Sequence, residues 1–361
     1  MSTPTPAIVC PYCLDPIAFD PEELYARNEF EQYTRVDLSA EWHPVRRRDA
    51  LRATFQRCTG SPDMDEHYLP TPYLTHGDPL TIAMVGGSAA GKTHLLASMI
   101  GEVERGGLEP YGLSCTPLHA DSHRAFLKDR VRPLREGSVL AHTEDVDFAE
   151  FADGLLISGG GVTRPVMFFD LSGEDLERTD RVTRFLAAVH ALVFVVDPLR
   201  ALPLRYLDPV RSRTDMRQDD LGDQAFAAVL DRMPRRGSYI DAATTVVIGK
   251  SDLVRFEEPV ARWLGAPELP AALTAAALRA ESRDAYAFLR HHGGPGWLRP
   301  FHDSARCTLH FASATGGQDA AGGFPQGVRP RRVLTPLLSL FAMCGLLRST
   351  VSWRERAEVG L

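Results

Sequence analysis

Residues 81–93 read TIAMVGGSAAGKT, a short apolar run that ends in glycines and then in Gly91, Lys92 and Thr93. From Gly86 to Thr93 the spacing satisfies G-x-x-x-x-G-K-[ST], the loop that cradles nucleotide phosphates. Gly86, Gly87, Ser88, Ala89, Ala90, Gly91, Lys92, Thr93 and His94 are the expected nucleotide-contacting run, because small residues let backbone N–H groups turn toward phosphate oxygens. Lys92 adds a cation near the β- and γ-phosphates, and Thr93 offers a hydroxyl to Mg²⁺. Such a loop needs a strand before it and a helix after it. Ile82–Val85 are β-prone and apolar, and HLLASMIGEVE (94–104) spaces Leu95, Leu96, Met99, Ile100 and Val103 along one helical face. That helix would aim its positive N-terminal end at the phosphates.

Outward from this unit the chain alternates strand and helix. GLSCTPL (112–118) reads as a strand, and 121–135 as a helix. The runs 151–158 and 162–170 (VTRPVMFFD) are joined only by Gly159, Gly160 and Gly161, so they pair as an antiparallel hairpin. ALVFVV (191–196), TTVVI (244–248) and TLHFA (308–312) complete the strands, with longer helical or irregular segments between them. The pattern predicts an α/β P-loop NTPase: a mostly parallel sheet with one antiparallel strand and helices on both faces. Insertions are expected at 199–240 and 255–307, around a P-loop domain of residues 76–350 and before a tail of 351–361. Residues 1–75 form a separate N-terminal region that closes with the turn-rich 61–79.

The chain has 361 residues, 44% of them hydrophobic, enough to bury a large core. A net charge of -7 leaves no electrostatic footprint for nucleic acid, so no nucleic-acid partner is expected, and Arg46–Arg48 read as a solvated helix start. No basic segment followed by an apolar core opens the sequence, which points to a cytoplasmic protein. VLTPLLSLFAMCGLL (333–347) is shorter than the ~20 residues that cross a bilayer and is expected as a buried terminal helix. The six cysteines do not form a disulfide framework. Cys10 and Cys13 make a CPYC knuckle and Cys58 can join them, which supplies three thiolates of a possible tetrahedral zinc site. The fourth ligand is open among His43, Asp63 and His67, and simple thiol packing is the competing account.

The strand VMFFD ends in Asp170, where P-loop enzymes hold Mg²⁺, and the N–H of Gly173 in the same DLSG loop can approach the γ-phosphate. GKSD (249–252) follows TTVVI: the Asp252 carboxylate can accept from both N1 and N2 of guanine while the stem of Lys250 packs on the ring. Ser313, Ala314 and Thr315 would offer backbone groups to the guanine carbonyl.

With GGSAAGKT, DLSG, GKSD and SAT in this order, residues 80–347 resemble the TRAFAC class of GTPases. With the CPYC knuckle the chain is similar to bacterial double-GTPase-type domains, associated with signalling or conflict systems. The resemblance implies GTP/GDP as ligand, Mg²⁺ on Thr93 and Asp170, and protein partners that read the switch loops. It also implies a switch threonine before the hairpin, for which Thr143 is best placed and Thr116 and Thr163 are alternatives. Gly249 stands where the class has Asn or Thr, so a side-chain tie to the phosphate loop is expected to be lost. Glu174 replaces the water-orienting glutamine, which implies slow hydrolysis; Arg178, Arg181 and Arg184 follow without an assigned role. A guanine-nucleotide switch is therefore set against two alternatives, an ATPase or P-loop kinase and a nucleotide-stabilised scaffold.

Overall fold

The computed structural model describes residues 8–347, apart from 29, 31, 39–42, 61–65, 141–148, 172–178, 220, 269–272 and 321. Six short strands come first: β1 (Ile8–Val9), β2 (Pro16–Ile17), β3 (Leu24–Arg27), β4 (Tyr33–Arg35), β5 (Phe55–Arg57) and β6 (Tyr68–Pro70). The first two form a hairpin, and the others an antiparallel sheet in the order β4-β3-β5-β6.

The main sheet has seven strands: β7 (Leu80–Val85), β8 (Leu113–Pro117), β9 (Ala149–Gly159), β10 (Val162–Leu171), β11 (Ala191–Val196), β14 (Ala243–Ile248) and β15 (Cys307–Phe311). Between β11 and β14 a small hairpin, β12 (Arg235–Arg236) and β13 (Tyr239–Ile240), lies apart. The order is β15-β14-β11-β7-β10-β9-β8, with parallel pairing from β15 to β10 and β9 antiparallel to both its neighbours. The hairpin expected around Gly160 and Gly161 is present; φ of 59° and 82° at these two residues gives the primed turn that matches strand twist.

Strands covered on both faces read as continuous apolar runs, and period-2 alternation then sorts their side chains. Leu80, Ile82 and Met84 of β7 and Ala191, Val193 and Val195 of β11 face one layer, which holds Leu95, Leu96, Met99 and Ile100 of the helix Lys92–Glu104. The helix Leu334–Met343 packs in the same layer with all ten residues buried, as its apolar run requires. Ala83, Val85, Leu192, Phe194 and Val196 face the other layer, beside Phe226, Trp297 and Phe288. Phe226 stands 4.9 Å from Phe194 and 5.7 Å from Trp297, ring centroid to centroid. Among the described residues no helix is long and apolar enough to cross a membrane.

The helix Ala275–His292 contributes a fully buried charge. Glu281 accepts from Arg332 at 2.7 Å and from the backbone N–H of Phe311 at 3.2 Å, and bonds His310 at 2.9 Å. Burial pushes this carboxyl up, but the facing His310 and Arg332 outweigh it and hold it below the usual glutamate range. A depressed folded-state value contributes stability above the unfolded pKa of ~4.3 and loses it as the pH falls through the folded value. Glu281→Ala should lower the unfolding free energy by roughly 3–5 kcal/mol, since it strands the buried Arg332 guanidinium and leaves His310 and Phe311 N–H without their acceptor. Urea midpoints at pH 7 and below pH 4 check this: the mutant deficit should shrink in acid, and an equal deficit at both would contradict the assignment.

Candidate functional site

The loops after β7, β11, β14 and β15 meet, with the end of β10, at the C-terminal edge of the parallel strands, where open α/β sheets bind ligands. The loop 86–91 runs from β7 into the helix Lys92–Glu104. Lys92 Nζ donates to the carbonyls of Gly86 and Gly87, at 2.8 and 3.2 Å. Thr93 Oγ1 donates to Asp170 Oδ2 at 2.7 Å, so the hydroxyl and carboxylate expected around a magnesium ion are side by side. Two hard oxygen donors at the mouth of a phosphate loop fit Mg²⁺.

His94, one residue on, has its imidazole held down to about 4 by burial and by the charge of Lys250, so it is neutral. Its Nε2 accepts from Leu140 N–H at 3.2 Å, which ties the phosphate-loop helix to the start of the following segment. Thr143, Gly173 and Glu174, with Ser172 and Arg178, lie outside the described residues.

Lys250, in the left-handed region at φ 45°, donates to Ala89 O and to Asp197 Oδ2, both at 2.8 Å. Lys250 thus ties the GKSD segment to the phosphate loop. Asp197 directly follows β11, and Asp170 stands one residue before the end of β10; an acid closing an apolar strand run was the sequence signal that could have found Asp197. Asp252 is 9% exposed and accepts from Ser313 Oγ at 2.6 Å. Burial pushes its carboxyl up, and the Ser313 hydroxyl pulls it part of the way back. The Ser313 N–H, in turn, donates to Arg331 O at 3.0 Å. The carbonyl of Ala314 accepts from Ser98 Oγ at 2.7 Å, which fastens this loop to the phosphate-loop helix.

Asp223, in the first insertion, carried no sequence signal. Its Oδ2 accepts from Gly87 N–H and its Oδ1 from Ala225 N–H, both at 2.8 Å, so one carboxylate holds the phosphate loop and caps the helix Gln224–Leu230. A Cβ on Gly87 would stand 2.6 Å from Arg200 Nη1 and 3.0 Å from Asp223 Oδ2, so a larger residue there would have to displace these side-chain ends.

A second cluster lies in the N-terminal region. Cys10 and Cys13 sit in the turn between β1 and β2, while Cys58 follows β5 and His67 precedes β6. Their four ligand atoms all lie within 4.8 Å of one another. Cys13 Sγ is 3.6 Å from Cys58 Sγ, and Cys10 Sγ is 3.2 Å from His67 Nε2. A tetrahedron of thiolates with Zn–S of about 2.3 Å has edges of about 3.8 Å, so the cluster could hold zinc. The Cys10 thiol drops Cys58 to about 4, and Cys10 rises in exchange. Of the two described candidates for the fourth position, His43 and His67, His67 is the one brought to the cluster; Asp63 lies outside the described residues.

No protein-family model and no curated protein matches this chain. Among solved structures it is similar to the S. cerevisiae Ski7 GTPase-like domain, in one form bound to GDP and inorganic phosphate and in another to GTP. Each has 12% identity and a TM-score of 0.36 and covers 78% of this chain and 53% of the other. The chain thus spans about half the length of those structures.

Asp223→Ala leaves the Gly87 and Ala225 N–H groups without their acceptor, and should lower stability by about 1–3 kcal/mol. Chemical denaturation at neutral pH measures it; an unchanged midpoint would mean that the carboxylate does not hold the loop.

Proposed function

We propose that this chain binds a guanine nucleotide with Mg²⁺ and hydrolyses the triphosphate slowly, as a switch read by protein partners in a bacterial signalling or conflict-type system. The observation that carries this reading is the path from the phosphate loop through Lys250 to a buried Asp252. The Lys250 ammonium reaches Ala89 O at 2.8 Å, two residues from Asp252, and Ser313 aims the carboxylate. A buried carboxylate needs donors, and N1–H and N2–H of guanine supply two, whereas adenine offers no such pair. The N–H of Ala314 is then the donor for the guanine carbonyl.

In this reading the backbone of 86–94 and Lys92 bind the β- and γ-phosphates, and His94 keeps the adjoining segment close. Thr93 and Asp170 hold Mg²⁺, which when bound spreads phosphate charge. Thr143, Gly173 and Glu174 belong to the switch loops that sense the γ-phosphate, with Glu174 as water-orienting residue. Residues 76–350 constitute the nucleotide domain.

Asp252→Asn turns one acceptor into a donor that opposes guanine, a loss of roughly 1–3 kcal/mol by analogy with bidentate base contacts. GTP binding should weaken about ten-fold or more, XTP binding should improve, and ATP should be little affected. Titration of wild type, this variant and Lys92→Ala with the three triphosphates tests it, Lys92→Ala being expected to lose all of them. A wild type that prefers ATP replaces the guanine reading with an ATPase.

We also assign one zinc ion per chain to Cys10, Cys13, Cys58 and His67, which makes residues 1–75 a zinc-ribbon-like element. Metal analysis should give one zinc per chain, lost in Cys10→Ser and reduced in His67→Ala, with a lower melting temperature in both. Metal-free protein of unchanged stability would leave only thiol packing.

A further inference from the structure

Arg200 lies on the short helix Pro198–Ala201, directly after β11, and its guanidinium is packed against the phosphate loop. Its Nη1 comes within 2.6 Å of the point where a Cβ on Gly87 would stand. Asp197 fixes the turn that carries it: Oδ1 accepts from Leu199 N–H at 2.9 Å, and the Asp197 carbonyl accepts from Arg200 N–H at 3.0 Å. From the other side, Asp219 N–H donates to Arg200 O at 3.0 Å. The backbone is thereby anchored at both its N–H and its C=O.

The side chain is not. Among the described residues the Arg200 guanidinium makes no hydrogen bond or ion pair. The nearby Asp223 carboxylate is engaged by Gly87 N–H and Ala225 N–H. The half-buried Arg200 offers five N–H donors beside Gly87, and a second cation, Lys92 Nζ, bonds the carbonyls of Gly86 and Gly87. Two cations converging on one loop suit a ligand that carries several negative charges, and the planar fork of arginine matches phosphate oxygens two at a time.

We propose that Arg200 contacts the γ-phosphate of the bound triphosphate and stabilises its transfer to water, an arginine supplied in cis by the first insertion. This rests on the guanine-nucleotide reading above. In the reaction a water oxygen bonds to the γ-phosphorus, and the bond from that phosphorus to the β–γ bridging oxygen breaks. Its electron pair stays on the diphosphate, and one proton is released with inorganic phosphate. Charge builds on the bridging and γ oxygens as this happens, and a guanidinium on them lowers the barrier.

The test compares wild type, R200A and R200K in three measurements: affinity for GDP, affinity for a non-hydrolysable GTP analogue, and the single-turnover hydrolysis rate. R200A should keep GDP affinity within about two-fold, bind the analogue at least about five-fold more weakly, and hydrolyse at least about ten-fold more slowly. R200K, which keeps the charge without the fork, should recover analogue affinity more than rate. R200A that matches wild type on analogue and rate overturns the proposal, as does R200A that loses GDP and analogue alike, since that marks a loop-holding role. Should wild type bind without turnover, the analogue-to-GDP ratio decides. Wild type that binds no guanine nucleotide removes the underlying reading as well, whereas turnover indifferent to R200A removes Arg200 alone.

Discussion

The carboxylate of Asp197 joins the loops on which the site depends. At 1% exposure it has almost no water to solvate it, and taking a charge out of water costs several kcal/mol unless partners surround it. It has them: the Lys250 ammonium at 2.8 Å and Leu199 N–H at 2.9 Å. Because Lys250 also reaches Ala89 O, one buried anion fixes the loop after β11, the GKSD segment and the phosphate loop relative to each other. This arrangement places Lys250 in the left-handed region at φ 45°. Left-handed backbone at a non-glycine residue persists where surrounding bonds over-determine it, and here they do.

The N-terminal cysteine cluster is continuous with the sheet's own core. Cys10, Cys13 and Cys58 belong to the same buried group as Val85, Phe169 and Phe185. Tyr12, inside the CPYC turn, meets His67 at 5.3 Å and Phe169 at 6.1 Å, and Phe169 meets Phe185 at 4.9 Å. Phe169 immediately precedes Asp170, so the packing that secures the knuckle also backs the strand end that carries the candidate magnesium ligand. Two hairpins with few apolar residues of their own gain burial by docking on a large sheet.

The loop after β15 is held in a different way, by side chains committed to one another. Ser313 gives its hydroxyl to Asp252 and its N–H to Arg331 O, Ser98 takes the Ala314 carbonyl, and Arg332 closes the loop on Glu281. Phe324 N–H then donates to Gly137 O at 2.6 Å, so the same loop reaches back to the segment that His94 holds. The groups around the candidate base and the candidate switch segment are therefore parts of one bonded network.

What the sequence determined by itself was whatever local pattern specifies. The β7–loop–helix unit, the glycine-turn hairpin and the acid-ended strands follow from apolar periodicity, small residues and turn chemistry over a dozen residues, and each stands where the sequence placed it. The parallel order with one antiparallel strand follows too, since connection length dictates direction. Only tertiary structure decided which distant side chains meet. Three candidates for the fourth cluster position were equivalent by spacing, and the pairing of β5 with β6 brought His67 to the thiols. Gly87 and Asp223 are 136 residues apart, and nothing in either segment announces the other. The bonds of Ser313 to Asp252 and of Lys250 to Ala89 O and Asp197 depended on loop approaches set by sheet order. Contacts of that kind are fixed by where the chain returns, and many sequences of the same local pattern would return elsewhere.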